Sequence, residues 1–468
     1  MAIFTVDFVG GAYTARTRDL NAQVCQNYYV ELDNTGAKSP MALIGCPGLI
    51  EWLDTTNAAE VRNFSLYGEF LIAVVGNTVY KIDVAKNQST LGTIGTSSGW
   101  VDITYDGATL AVYDSTGGWT YDGVTFAVIT DADFPDISGA TSQDGYNIVS
   151  RSATDQFFIS SQDNPTAWDA TDFATAEANG DILVSPISVK NQLWLLGSLS
   201  SEVWYNAGET FPFNRNPGGV LGVGCGAKRS IAVYEDELYW LDNKNRIIRG
   251  SGVSYEPVST YQIDYQISLL TKKDDAVGFC YFQEGHAFYE ITFPTDSKTF
   301  CYDKITGLWH TRASGALDLR SRANCAIRFD DKVLVGDFEN GKIYEYSLSA
   351  YDDAGVPKRA IRVGQIIQEK KQRLFCNYFE LDMETGNATA SVTDPQIMLS
   401  WSDDGGHTWS SEHWLSMGAV GEYKTKMRWN RLGYSKGRMF KTVVADAVKR
   451  NIIGAYVDGF GEVPSGEN

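Results

Sequence analysis

The sequence predicts an all-β protein, a β-propeller of six or seven blades followed by a C-terminal β-sandwich. Between residues 66 and 346, one pattern occurs seven times: a turn, an apolar strand, a second polar turn and an aromatic-rich strand. Successive repeats lie between 38 and 49 residues apart, and a period in the forties that is built of strands is typical of propeller blades. Phe, Tyr and Trp make up 13% of the chain, which favours the packing of sheet on sheet.

Each repeat begins with a turn that is centred on Gly, Asn or Asp. β-Branched and aromatic residues follow, as in residues 70–74, and predict a strand. Second turns such as 76–77 and 117–118, whose Gly and Asn tolerate the positive φ angle that tight hairpins require, then lead to a partner strand. An irregular all-β sandwich with recurrent hairpins is the alternative fold. The first turns are centred on Gly68, Gly107, Gly145, Asn191, Asp236, Gly285 and Asp331.

The length of 468 residues exceeds what one hydrophobic core usually organises, so two or three domains are expected. We expect residues 1–60 to start or close the propeller and to contact neighbours, and residues 61–351 to form the propeller. Residues 352–371 are predicted as a linker because a polar stretch there interrupts the repeat. Longer strands then predict a β-sandwich with a loose tail over residues 372–468.

The composition argues against several classes of function. A formal net charge of −19 disfavours free nucleic acid as a ligand, because phosphate neutralisation needs an excess of Lys and Arg. The seven cysteines are widely spaced without a C-x-x-C pair, which favours reduced thiols over disulfides or zinc. Neither a signal peptide nor a membrane span is expected, because the opening residues lack a basic region with an apolar core and no apolar run approaches 18 residues.

One sharp motif lies in the predicted sandwich and fits the Asp-box pattern S-x-D-x-G-x-T-W. Its carboxylate and hydroxyls can cap turn amides while the Trp packs beneath them, so the motif is structural. Asp-boxes are known from sialidase-like propellers, and a carbohydrate-binding or sialidase-like propeller is therefore the alternative function. The motif consists of Ser402, Asp404, Gly406, Thr408 and Trp409.

No motif predicts catalysis, a cofactor or a metal. A glycosidase needs two carboxylates at a fixed separation, and a pair such as Asp102 with Asp114 can be drawn, but no spacing singles it out. The four histidines form neither H-x-H nor H-E-x-x-H. Residues 222–228 superficially resemble a phosphate loop, but Ala227 separates the last Gly from Lys228 and hairpins surround the segment. We therefore expect no enzyme and no bound cofactor.

A basic cluster stands out against the acidic chain. Three interpretations are open: a solvated strand face, a strip that meets the acidic surface of a neighbouring subunit or partner, or a strip that faces DNA. The candidate interface comprises Lys424, Lys426, Arg428, Arg431, Lys436 and Arg438, with Lys441 close by.

Short motifs lie towards both ends of the sequence, in residues 21–31 and 42–49 and in residues 429–433 followed by Phe440. These segments resemble the packaged-DNA stabilisation protein family of short-tailed phages. The resemblance implies a structural virion protein of the phage tail, made in the host cytoplasm. It also implies a tail hub that assembles as a ring, a hexamer, below the portal and its adaptor, the head-to-tail connector.

In such a hub, the ring closes the DNA channel after packaging and docks a tail needle, tailspikes or other tail parts. DNA passes through the lumen without sequence-specific binding. Rings need two different complementary faces on each copy, and an acidic propeller with a basic C-terminal strip could supply them. An acidic lumen would present DNA with a repulsive wall during ejection.

Overall fold

The computed structural model describes residues 2–33, 35–36, 38–368 and 372–461. Within these residues the chain is built almost entirely of strands, with one α-helix and one 3-10 turn, which confirms the all-β prediction. Six strands precede the repeats: β1 (Ala2–Val6), β2 (Tyr13–Thr14), β3 (Ala22–Gln26), β4 (Tyr28–Leu32), β5 (Met41–Gly45) and β6 (Gly48–Asp54).

Blades 1 to 5 are separate four-stranded antiparallel sheets. Blade 1 contains β7 (Val61–Tyr67), β8 (Phe70–Val75), β9 (Thr78–Ile82) and β10 (Gln88–Thr93). Blade 2 contains β11 (Asp102–Tyr105), β12 (Leu110–Asp114), β13 (Gly117–Tyr121) and β14 (Phe126–Val128). Blade 3 contains β15 (Ile137–Gln143), β16 (Tyr146–Arg151), β17 (Gln156–Ser161) and β18 (Asn164–Thr175).

Blade 4 contains β19 (Leu183–Val189), β20 (Gln192–Gly197), β21 (Ser201–Asn206) and β22 (Phe213–Leu221), and the 3-10 turn Lys228–Ser230 follows it. Blade 5 contains β23 (Ala232–Tyr234), β24 (Glu237–Leu241), β25 (Ile247–Ser251) and β26 (Ser254–Pro257). The helix α1 (Tyr261–Ser268) comes next in the chain.

Two further four-stranded groups complete the propeller. The closing blade contains β31 (Ala323–Phe329), β32 (Lys332–Asp337), β33 (Lys342–Ser347) and the N-terminal strand β6, which makes it the sixth separate blade. The other group, which we call the shared blade, continues into a sheet of the second domain. It contains β27 (Val277–Gln283), β28 (His286–Phe293), β29 (Lys298–Asp303) and β30 (Trp309–Arg312).

All seven predicted first turns join the first and second strands of a four-stranded group. Gly68 and Gly145 adopt positive φ angles of 57° and 84° there, which glycine reaches without steric cost. The prediction of a second turn at residues 117–118 is wrong, because Gly118 lies inside β13. A Cβ atom on Gly118 would come within 2.7 Å of Ile129, so close packing rather than a turn requires this glycine.

Buried apolar layers separate neighbouring blades all the way around the ring. Trp194 of blade 4 packs on Trp240 of blade 5 with ring centroids 6.0 Å apart. Tyr281 of the shared blade meets Tyr346 of the closing blade at 5.3 Å. Each such large side chain contributes about 1.5–3 kcal/mol when it leaves water, so the layers between the blades hold the ring closed.

The ring is closed by strands from both ends of the propeller segment. β6 pairs antiparallel with β33, from Gly48 opposite Ser347 to Asp54 opposite Lys342. Trp52 of β6 is buried and packs edge-on against Phe329 at 6.0 Å. This N-terminal strand completes a blade whose other three strands lie almost 300 residues later.

The second domain is a β-sandwich, as predicted. Its C-terminal strands are β34 (Ala360–Val363), β35 (Leu374–Met383), β36 (Gln396–Ser402), β37 (His413–Ser416), β38 (Met427–Asn430), β39 (Tyr434–Ser435), β40 (Met439–Val444) and β41 (Ile452–Gly461). One sheet has the order β38-β35-β41-β5-β4, with β1 on β41 and β39 on β35. The other runs from the shared blade through β30-β3-β34-β40-β36-β37, with β2 on β3.

The sandwich therefore uses strands from both ends of the chain. Phe379 and Phe440 stack between its two sheets at 4.4 Å, and Tyr28 and Leu43 from the N-terminal segment belong to the same core. The expected N-terminal segment, residues 1–60, thus contributes β1–β5 to the sandwich as well as β6 to the propeller. The expected linker contains β34, and β41 extends to Gly461 where a loose tail was expected; residues 369–371 and 462–468 lie outside the described residues.

Candidate functional site

The opening at the propeller axis is the first candidate site, because inner strands from around the ring surround it. It has a volume of about 250 Å³. Its walls mix apolar side chains with a small number of charged ones, an arrangement that small-molecule sites also have. Residues that line it include Asn63, Asp102, Ile187, Lys228, Phe279 and Asn324.

Lys228 is a cation of this opening whose side chain is 14% exposed. Its Nζ donates to Asp102 Oδ2 at 3.0 Å and also to the carbonyl of Ser138. Burial lowers the pKa of Lys228 to about 8, although the Asp102 carboxylate opposes this effect. An amine with such a pKa can act as a base. Here, however, the Lys228 ammonium is bound to a carboxylate of blade 2 and a carbonyl of blade 3. Lys228 therefore links these two blades to the segment before blade 5.

The arginines near the axis are also engaged. Arg229 pairs with Glu60, whose Oε1 accepts a second hydrogen bond from Asn324 Nδ2 at 2.6 Å. Arg62 donates to backbone carbonyls that include those of Gly76 at 3.0 Å and Thr96 at 2.7 Å, and burial lowers the pKa of Arg62 to about 10. These guanidinium groups stabilise loops, whereas a sialidase-like site would present clustered arginines to a substrate carboxylate.

Asp102 and Asp114, the example of a possible catalytic pair, both have hydrogen-bond partners within the protein. Asp102 binds Lys228, and Asp114 is fully buried. Asp114 Oδ2 accepts hydrogen bonds from the backbone amide and the hydroxyl of Thr96, both at 2.7 Å. Burial raises the pKa of Asp114, but the hydrogen bonds from Thr116 and Thr96 outweigh it and lower the pKa overall. Asp114 therefore remains ionised and fixes two adjoining turns.

A larger cleft of about 1330 Å³ lies between the propeller and the sandwich. His286 borders this cleft, and its Nδ1 lies 2.8 Å from Asp303 Oδ2. The imidazole packs against Tyr29 at 5.0 Å and Phe288 at 5.7 Å. Among the described residues no hydroxyl or thiol is hydrogen-bonded to His286, so this His–Asp pair lacks the adjacent nucleophile of a catalytic triad.

The other histidines lie apart from one another. His310 is buried, His407 belongs to the Asp-box turn, and His413 stacks on Trp401 at 4.8 Å. Over the ranges that the structure describes, no group of three or more His, Cys, Asp or Glu side chains is arranged to hold a metal ion. The cysteines described are all free thiols.

The Asp-box adopts the expected self-locked turn. Asp404 Oδ2 accepts from the Thr408 hydroxyl at 2.6 Å, and Asp404 Oδ1 accepts from the Thr408 amide at 2.9 Å. Ser402 Oγ accepts from the Gly406 amide at 2.8 Å. Hydrogen bonds from Thr408, and then from the Ser402 hydroxyl, lower the pKa of Asp404 strongly. Trp409 lies beneath Lys441, whose Nζ is 4.5 Å from the ring centroid.

The basic cluster is not a single strip. Arg438 is buried and forks onto Asp403 with distances of 2.6 and 2.7 Å, so it cannot face a partner, and its place in the candidate interface was wrong. Arg428 lies over the Tyr378 ring at 4.0 Å and pairs with Glu380. The cluster members that are exposed and have no carboxylate partner among the described residues are Lys424, Lys426, Arg431 and Lys436.

Sequence reasoning missed the ion pairs at the axis. Lys228 and Asp102 are 126 residues apart, and they meet only because the propeller places their segments beside the same opening. The one available signal was the segment 222–228 itself, where Lys228 begins the 3-10 turn that leads into β23.

Comparison with the profiles of known protein families shows which family this chain is related to. The profile described as Bacteriophage P22 Gp10, beta-propeller, matches residues 4–350, about three quarters of the chain. The chain belongs to the bacteriophage P22 Gp10 family. The profile of the second domain, described as Bacteriophage P22 Gp10, beta-sandwich, matches residues 359–459. Both domains of this phage family, that of a tail hub, are thus present in order, and the resemblance found in the sequence is confirmed.

Solved structures that match this chain do so at low identity and with TM-scores below 0.5. A virginiamycin B lyase from Staphylococcus aureus is 10% identical with a TM-score of 0.43, over 64% of this chain and 98% of the lyase. PorZ of Porphyromonas gingivalis is 11% identical with a TM-score of 0.36, over 71% of this chain and 45% of PorZ. The N-terminal domain of Nup159 is 10% identical with a TM-score of 0.39, over 69% and 98% of the two chains.

A search of curated proteins gives no significant match. In the described part of the chain, no helix is long and apolar enough to cross a membrane.

Proposed function

We propose that this protein is the tail hub of a short-tailed phage, which assembles as a ring below the portal and adaptor. In that position it closes the DNA channel after packaging and docks a tail needle, tailspikes or other tail parts. The observation that carries the proposal is the match of both family profiles, in order, over residues 4–350 and 359–459. The expected ring is a hexamer located in the virion tail.

The dimensions of the propeller support a ring of several copies. The axial opening holds about 250 Å³, which is below the usual range for a site that encloses a drug-sized ligand, and a DNA duplex is far larger. Ion pairs such as Lys228 with Asp102 cross the opening. DNA therefore passes between copies, through a lumen that several chains surround, and not through the axis of one propeller.

The chemistry of the sites supports a scaffold. The axial cations and carboxylates are bound to each other or to backbone groups, and the Asp-box carboxylate is bound within its own turn. Such groups stabilise a rigid body, and function on a propeller then depends on its surfaces. We expect a virion component that acts through shape and charge.

Light scattering of the purified chain, alone and mixed with a portal–adaptor complex, tests this proposal. We expect a particle of about six times the 51.6 kDa chain mass bound to the portal–adaptor complex, visible as a ring below the portal in negative-stain images. A chain that stays monomeric and unbound in the presence of the complex would contradict the proposal.

A further inference from the structure

A loop of the sandwich, residues 418–426, presents apolar and basic side chains together; we call it the presenting loop. Val420 is 72% exposed and Tyr423 is 71% exposed. Lys424 and Lys426 are exposed beside them, without a carboxylate partner within the described residues. Exposed apolar side chains grouped in this way indicate an interaction surface, whereas single ones are ordinary.

The presenting loop is held in shape by hydrogen bonds within it and to Gly386. The Gly421 amide donates to the Gly386 carbonyl at 3.2 Å, and the Thr425 hydroxyl donates to the Glu422 carbonyl at 2.8 Å. Gly386 has a positive φ angle, and a Cβ atom there would lie 2.8 Å from the Glu422 backbone. Because the loop is already ordered, binding through it would lose little conformational entropy.

A second exposed surface lies where blades 1 and 2 meet; we call it the aromatic seam. Tyr67 contacts Tyr105 at 5.1 Å and Tyr121 at 5.4 Å between ring centroids. Next to them, Tyr105 is 36% exposed and Val124 is 88% exposed. The hydroxyl of Tyr121 donates to the Gly123 carbonyl at 2.7 Å, so the seam is fixed to the turn that carries Val124.

The aromatic seam is bordered by unpaired carboxylates. Glu69 and Asp122 are exposed, and neither forms an ion pair with a described residue. Asp122 Oδ1 accepts from the Val124 and Thr125 amides at 2.8 and 2.7 Å. The seam lies on the face of the propeller that carries the first turns, and acidic residues recur there: Glu69, Asp106, Asp144, Asp236, Glu284 and Asp331.

We propose that the presenting loop of one copy docks on the aromatic seam of the next copy in the ring. This inference rests on the proposed function and names the contact that builds the ring. Val420 and Tyr423 would cover Val124 and the tyrosines, while Lys424 and Lys426 would face Glu69 and Asp122.

A second copy fits the seam for two reasons. A closed ring needs a heterologous contact between two different surfaces of the same chain, and the loop and the seam are such surfaces. The chain also carries a net charge of −19, so copies repel one another except where an unpaired basic group meets an unpaired acidic group.

Charge reversal tests the contact from both sides. Lys424→Glu/Lys426→Glu changes the loop, and Glu69→Lys/Val124→Lys changes the seam. The seam variant keeps Asp122, whose carboxylate accepts hydrogen bonds from the amides of its own turn. We expect each variant alone to associate with itself at least about tenfold more weakly than the wild type, as loss of close interfacial charge pairs implies. Glu209→Lys, a matched change at an exposed site on blade 4, should associate normally.

Mixing the two variants provides the decisive outcome. In an equimolar mixture the unchanged loop of the seam variant meets the unchanged seam of the loop variant, and the two changed surfaces are again opposite in charge. Both kinds of contact can therefore form, and association should recover by light scattering. Unchanged circular dichroism would show that both variants fold. If each variant alone forms wild-type rings, or if the mixture remains dissociated, the contact is wrong although the hub proposal stands; if the wild type never forms a ring with the portal–adaptor complex, the hub proposal itself fails.

Discussion

The propeller and the sandwich differ in how far apart in the sequence their paired strands lie. In the propeller, each blade forms from strands that follow one another in sequence, and only β6 comes from a distance. In the sandwich, neighbours in one sheet are far apart in the chain, as where Val24 of β3 pairs with Val363 of β34. Local hairpins thus create the repeating body, while long-range pairing creates the domain that extends from it.

The same long-range pairing joins the two parts. Strand β3 pairs with β30 of the shared blade on one side and with β34 on the other. Near this junction, Nζ of the buried Lys358 lies 3.3 Å from Asp353 Oδ1. The Arg450 guanidinium donates to the Tyr351 carbonyl at 2.8 Å. One continuous sheet and these buried cations hold the propeller and the sandwich in a fixed relation, as a docking scaffold requires.

The largest expected effect is on closure of the propeller. Trp52→Ala removes a buried ring from β6 and should lower the free energy of unfolding by about 3–5 kcal/mol, as large-to-small core changes do. Ile50→Ala, in the same strand but at a position that is 43% exposed, should have a much smaller effect. Denaturant unfolding followed by tryptophan fluorescence and circular dichroism measures both, and equal losses would contradict the role of β6.

The next effect concerns the long-range pairing of the sandwich. Arg362 is fully buried and donates to the Gly11 carbonyl at 2.9 Å and to Gln23 Oε1 at 2.7 Å. Arg362→Met leaves these acceptors unpaired and should cost about 2–4 kcal/mol of stability. Arg373→Met, at an exposed position, is the control. A loss no larger than that of Arg373→Met in urea unfolding would show that Arg362 does not fix the N-terminal segment.

A smaller, pH-dependent effect lies at the junction itself. Burial, then the nearby Arg312 and His286, lower the pKa of His310 well below 6.5. His310 is therefore neutral in the folded state and takes up a proton on unfolding, so its contribution to stability is complete above pH 6.5 and declines as the pH falls below it. The slope should approach about 1.4 kcal/mol per pH unit below that value.

Urea unfolding between pH 7.5 and pH 5.5 measures this slope above the range in which most carboxylates titrate. His310→Gln should flatten it. A wild-type protein whose stability is constant over this range would show that His310 takes up a proton as readily in the folded state as in the unfolded chain.

The comparison explains how much the sequence could predict. Positive-φ residues such as Gly68 and Gly145 mark hairpins within a short segment, so the blade repeat and the fold class were readable. The strands β1, β3 and β5 give no local indication of the partners that they take more than 300 residues away. Likewise, Arg438 appears in the sequence as one of seven basic residues, and only the fold shows that Asp403 neutralises it in the interior.

Native-state hydrogen exchange read by mass spectrometry tests most directly whether the N-terminal segment is part of the sandwich. Peptides from β4 and β5 should exchange at the same opening free energy as peptides from β35 and β41, and Arg362→Met should accelerate the exchange of all of them together. Exchange of β4 and β5 in step with blades 1 to 5, or independently of β41, would contradict this prediction.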